Sequence, residues 1–218
     1  SSSQCNHCKY MFDFYKCVRC HGEDCYVKNE EVLKYCNTPH YVYLAYFPNE
    51  KIKVGTASEM KKYNRLLEQG AIFSIFIAKT PSGKIARQIE KNIIDNGISG
   101  AVTTTYKMKN MIFDNEEILI KKKLVEKYRD ILKLFFGNNK KYLIEPEFSS
   151  FHEIKDKIDN NMLLANIQVN WFDEGDKQIK PYIVKKEFNR VFGTYLFCVG
   201  KILAVENNGI IELIDTKK

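Results

Sequence analysis

Six of the chain's seven cysteines, Cys5, Cys8, Cys17, Cys20, Cys25 and Cys36, fall within its first 36 residues. Cys5-Asn-His-Cys8 and Cys17-Val-Arg-Cys20 are two C-x2-C pairs separated by eight residues, a gap that a tight hairpin spans. One pair sets two thiolates against a tetrahedral ion, and a second completes the four-sulfur shell that structural zinc prefers. Cys25 and Cys36 could replace members of either pair, and His7, His21 or His40 could join, so spacing leaves the ligand set open. The competing chemistry is the disulfide cluster of a small secreted domain, against which stand the paired spacing and the lack of a secretory signal. An all-thiolate zinc offers no open position to water, so its expected work is structural, pinning a segment too short for a core of its own. Lys9, Lys16, Arg19 and Lys28 are interleaved with Tyr10, Phe12, Phe14 and Tyr15. That mixture suits phosphate and stacking contacts with nucleic acid, and equally suits covering a metal site. Cys198, in an apolar run, reads as a small buried hydrophobe.

Such a segment needs a scaffold, and the stretch from His40 to Asn96 supplies one. Tyr41-Val42-Tyr43-Leu44 and Ile52-Lys53-Val54-Gly55 are β-branched and aromatic runs joined at Pro48-Asn49-Glu50, the mark of a hairpin. Ser58 is placed to cap a following helix that carries Arg65. The run from Ala71 to Ala78 has the length and apolar continuity of a third, buried strand. Pro81-Ser82-Gly83 then breaks the chain, with Ser82 placed to cap a helix from Lys84 to Asn96. On that helix Ile85, Ile89 and Ile93 form an apolar stripe, with Glu90 on its flank. Tyr43, lying between Val42 and Leu44 on a strand, projects to the face opposite theirs.

This order resembles the GIY-YIG nuclease superfamily, whose two signature tripeptides fall here at Val42-Tyr43-Leu44 and Lys53-Val54-Gly55. A closer likeness is to a family of unknown function with a cysteine-rich N-terminus, His40-x-Val42-Tyr43-Leu44-Ala45, Lys53-Val54-Gly55, Arg65, Gln69-Gly70-Ala71 and Glu90. The superfamily resemblance implies a three-stranded sheet with flanking helices. It also implies phosphodiester hydrolysis, with Arg65 holding phosphate and Glu90 holding a catalytic Mg²⁺. Tyr43 or His40 would serve as base, and Lys53 would offset phosphate charge. Lys53 stands where the better-known nucleases carry tyrosine, and Arg65 lies farther beyond Gly55 than usual. A module that keeps the cations without the full base system would bind without cutting. Each residue also has a plain reading: Tyr43 a half-buried strand aromatic, Arg65 a surface cation, Glu90 a partner of Arg87 or Lys91. His40 could instead be a zinc ligand or a strand-entry residue.

Further along, the stretch from Ser99 to Lys109 reads as a loop rich in hydroxyls and lysine. Asp114-x-x-Glu117 opens a long helix to about Phe136, with Ile118, Leu119, Val125, Ile131, Leu132 and Phe135 on its buried side. Lys121-Lys122-Lys123 reads as a solvated face. Gly137-Asn138-Asn139-Lys140-Lys141 marks a boundary, Tyr142 to Phe148 resumes as a strand, Ser150-x-x-Glu153 opens a short helix, and strand patterns dominate from Leu163 on, with an Asn-Gly hairpin turn at Asn208-Gly209. The expected class is α+β, with a zinc knuckle over 1–38, a GIY-YIG-like module over 39–136 and a β-rich unit over 142–218. At 218 residues the chain can bury a full core, and no apolar run reaches the length of a membrane span. A start at Ser1-Ser2-Ser3 without methionine suggests a processed or truncated N-terminus. The formal charge of +7 favours a polyanionic partner, DNA or RNA. The expectation is a cytoplasmic, nucleic-acid-binding zinc protein with a Mg²⁺-dependent nuclease module. Its alternative is a non-catalytic DNA- or RNA-binding protein (tRNA-type) on a degenerate nuclease fold.

Overall fold

The strand β1 (His40–Phe47) is buried along its whole length. Its sequence explains this, because apolar or aromatic side chains occupy both faces and so require cover on both. The computed structural model describes residues 8, 13–14, 16–17, 19–47, 49–109, 117–134, 137–150, 182–185, 194–199, 202–207 and 210–215. The protein is α+β. β1 is preceded by helix α1 (Glu30–Cys36), capped by Asn29, whose side chain accepts from the backbone of Glu31 and Val32. After β1 come β2 (Lys51–Ser58), α2 (Lys62–Gln69), β3 (Phe73–Thr80) and α3 (Gly83–Asp95). Next are α4 (Thr104–Lys109), α5 (Glu117–Leu132) and β4 (Leu143–Ser150).

The first sheet has four antiparallel strands in the order β2-β1-β3-β4. The sequence reading expected three and assigned the run after Tyr142 to the C-terminal unit. Instead β4 pairs with β3, Ile75 opposite Phe148 and Ala78 opposite Leu143, and takes the sheet's far edge. An edge tolerates Pro146, which has no N–H to give to a second neighbour. Two cores follow from the alternation of β1. Val42, Leu44 and Tyr46 face Ala86, Ile89 and Ile93 of α3 and Ile120, Leu124 and Ile131 of α5. Tyr41, Tyr43, Ala45 and Phe47 face the other way, against Leu66 of α2 and Phe76. Tyr43 and its neighbours thus point to opposite sides, as the strand reading required. On α5 the buried residues are Ile120, Leu124 and Ile131, while Ile118 and Leu119, expected inside, are exposed. The i, i+4 rows from Ile120 define the covered stripe, and Ile118 and Leu119 fall off it. Phe135 and Asp114 lie outside the described residues.

Ser82 caps α3 as expected, accepting from the Ile85 N–H. Ser58 does not cap: it precedes a single 3₁₀ turn over Glu59–Lys61 and makes no side-chain cap bond. The segment expected as a hydroxyl-rich loop contains α4, and Ser99 bridges Lys53 beside it. A second sheet joins β5 (Tyr182–Lys185), β6 (Thr194–Val199), β7 (Ile202–Asn207) and β8 (Ile210–Asp215) in the order β5-β8-β7-β6. Asn207 pairs with Ile210 across the expected hairpin. The helix expected at Ser150-x-x-Glu153 and the strand before β5 fall outside the described residues, and Ser150 itself closes β4.

Candidate functional site

Gly55 decides where Tyr43 goes. The two face each other across β1 and β2, and a Cβ on Gly55 would lie 2.5 Å from the Tyr43 hydroxyl and 2.6 Å from its Cζ. The missing side chain lets the phenol lie across the edge strand. There its hydroxyl accepts from Gln69 Nε2 at 2.8 Å and its ring meets Phe76 edge-on. Burial pushes the Tyr43 hydroxyl far above its usual pKa; Arg65 opposes that shift and Glu90 adds to it.

β2 is the other edge of the sheet, and α2 on one face and α3 on the other reach over it. Tyr43, Lys53, Thr56, Arg65, Gln69 and Glu90 converge there on one cleft of about 360 Å³. Four of these had been singled out in the sequence, and they come from four elements: β1, β2, α2 and α3. Glu90 flanks the apolar stripe of α3 and accepts from the Thr56 hydroxyl at 3.5 Å. Burial raises its pKa, and the charges of Arg87 and Lys53 pull it back. Lys53 is pushed down to about 8 by burial, with Arg65 adding to the shift and Glu90 opposing it. Arg65 touches Glu68 at 3.3 Å in an exposed pair, of a kind readily exchanged for another anion. A neighbouring cleft of about 390 Å³ shares Lys53, Arg65 and Gln69 and adds Thr104 and Lys107.

His40 lies on the wall of the first cleft and is only 5% exposed. Its Nδ1 is 2.8 Å from the Thr38 carbonyl, so Nδ1 carries the proton and Nε2 keeps its lone pair. Burial lowers its pKa, with Arg87 adding to that, so the neutral ring is favoured. Thr56, Ser58 and Gln69 also line the cleft and were not among the site residues read from sequence. Thr56 shares the face of the buried Val54 on β2, but a lone strand threonine does not by itself mark a site. Ser58 is 1% exposed, and its hydroxyl has no partner among the described residues. Gln69 ends α2, where polarity is ordinary. The sequence named it only within the Gln69-Gly70-Ala71 motif, and its bond to Tyr43 gives it a place in the cleft.

The cysteine-rich segment docks on α3. Gly22, at φ +81°, sits where a Cβ would be 2.5 Å from the Lys84 carbonyl. Gln88 Nε2 donates to the Gly22 carbonyl at 2.7 Å, and Arg87 Nη1 to the Cys20 carbonyl at 3.4 Å. Cys17 is buried and its thiol donates to Cys36, holding the Cys36 thiol down to about 6 with help from backbone N–H groups of Lys84 and Gly83. Cys8 and Cys25 are exposed, and Cys5 lies outside the described residues. Among the described residues, no group of three or more His, Cys, Asp or Glu is found that could hold a metal ion as it stands.

A family model described as a protein of unknown function, DUF2797, matches residues 1–176. The chain belongs to that family. The match takes in the cysteine-rich segment, the four-stranded sheet and every DUF2797 residue named at the cleft. No curated protein and no solved structure matches the chain. Among the described residues, no helix is long and apolar enough to cross a membrane.

Proposed function

We propose that the cleft at the β2 edge binds a nucleic-acid phosphodiester and hydrolyses it with the help of Mg²⁺. One observation carries this reading: Tyr43, Lys53, Arg65 and Glu90, drawn from four elements, line a single cleft. A phosphoryl-transfer site needs positioned cations around a transferring phosphate and a carboxylate to hold the metal.

Glu90 would hold the ion; a single carboxylate suits Mg²⁺, which keeps several waters and takes substrate oxygens for the rest. When bound, Mg²⁺ would supply Lewis-acid stabilisation of the phosphoryl charge. Arg65 leaves its exposed contact with Glu68 and takes two non-bridging oxygens, as a planar guanidinium does best. Lys53 adds a point charge between Arg65 and Glu90. Of the two bases named from the sequence, His40 is the better placed. Its ring is neutral with Nε2 unprotonated, whereas the Tyr43 hydroxyl is buried, raised in pKa and bound to Gln69. Tyr43 therefore positions, and His40 accepts the proton of the attacking water.

The test is cleavage of mixed-sequence DNA and RNA in Mg²⁺ or Mn²⁺, comparing the native chain with Glu90→Ala. Loss of cleavage by a factor of about 10² or more with binding retained supports the reading. Salt-sensitive binding with no cleavage by the native chain would overturn hydrolysis and leave a phosphate-binding platform, the role a lysine in place of the second tyrosine favours.

A further inference from the structure

We infer that Cys17, Cys20, Cys25 and Cys36 hold one Zn²⁺ ion against the N-terminal turn of α3. The spacing of the cysteines left six candidates, and among the described residues four of them share one cavity. These four line one cavity of about 320 Å³ together with Arg87 and Lys84. Cys17 and Cys36 lie close enough for their thiols to interact. Cys20 closes the C-x2-C turn, its N–H donating to the Cys17 carbonyl at 3.2 Å. The Cys20 sulfur then accepts the Gly22 N–H at 3.2 Å. Lys84, in the N-terminal turn of α3, lines the same cavity.

The Gly22–Cys20 bond is a further pointer to metal. A neutral thiol is a weak acceptor, whereas a metal-bound thiolate carries charge that a backbone donor stabilises. Four thiolates on Zn²⁺ leave a net charge of about −2, and the positive end of α3 with Lys84 and Arg87 lies where it offsets that charge. The sulfurs line the cavity and do not yet meet at a point. Cys20 is part-exposed and Cys25 exposed, so their side chains are the ones able to turn inward. A metal here anchors the segment to the helix that carries Glu90, and the inference does not depend on that residue's chemistry.

The experiment is metal analysis of the full chain purified under reducing conditions, followed by replacement with Co²⁺. The expected result is one zinc per chain, and a cobalt form with intense thiolate charge-transfer bands and tetrahedral d–d bands. Cys25→Ser, at an exposed position that the fold does not need, should abolish stoichiometric zinc. Cys36→Ser should do the same, and Glu90→Ala should keep the metal whatever it does to cleavage. Absence of zinc from the native chain, full zinc in Cys25→Ser or Cys36→Ser, or loss of zinc in Cys8→Ser would each overturn this ligand set.

Discussion

Lys53 occupies the position where the superfamily resemblance expects a phenol, and its surroundings give it a property that a surface lysine lacks. Burial, with Arg65 nearby, lowers its pKa to about 8. Below that pH the ammonium is present; above it the cleft loses one cation while Arg65 keeps its charge. The proposed binding of nucleic acid should therefore weaken as pH rises past about 8, with a salt slope smaller by about 1. In Lys53→Arg that step should vanish, and a fluorescence-anisotropy titration at several pH values reads it directly. Folding of the free chain moves the other way. The unfolded lysine holds its proton up to about 10.5, so between roughly 8 and 10.5 the unfolded state binds more protons and stability rises with pH. Arg65 and Glu90 were legible because each lies on a helix that follows a recognisable strand. His40 was legible as a residue, but its tautomer depends on the Thr38 carbonyl, which only the folded chain brings to it. Thr56 was not legible, since a lone strand threonine does not by itself mark a site.

At the scale of elements, the hairpin is built around a contact with no room for adjustment. Gly55→Ala would drive a methyl into the Tyr43 ring, and an overpacked core site of this kind costs about 1–3 kcal/mol. Urea denaturation should show that loss in the single variant. Made on a Tyr43→Ala background, Gly55→Ala should cost well under half as much, because the ring it strikes is gone. Equal costs in both backgrounds would sink the steric account. The order hairpin, helix, strand, helix was readable from periodicity and caps. The buried face of α5 was not: Ile118, Leu119 and Ile120 are adjacent and equally apolar, and only packing against β1 and β3 selects Ile120.

For the molecule as a whole, β4 is the piece that ties late sequence to early. Its Glu147 receives the Lys62 ammonium and the Tyr63 hydroxyl, the latter at 2.6 Å, so it braces the helix that carries Arg65. A chain ended after residue 136, the boundary the sequence suggested, lacks that brace and bares β3. A chain ended after residue 150 keeps both. The shorter form should melt lower and precipitate more readily, and a thermal scan of the pair checks this. The strand itself was legible from Tyr142 to Phe148, but its place in the first sheet was not, because its partner β3 lies far back in the sequence.

The site rests on the margin of a sheet, and that placement has a cost of its own. The outer rim of β2 is covered at Val54 by the Ser99 carbonyl, and past that point Lys53, Arg65 and Glu90 crowd the strand with charge. Charged side chains on a bare strand rim keep copies of a protein from zipping together. Replacing Lys53 and Arg65 together with alanine should raise light scattering at rising concentration, apart from any effect on nucleic acid. The groups that grip a ligand would then also be the groups that keep the protein from gripping itself.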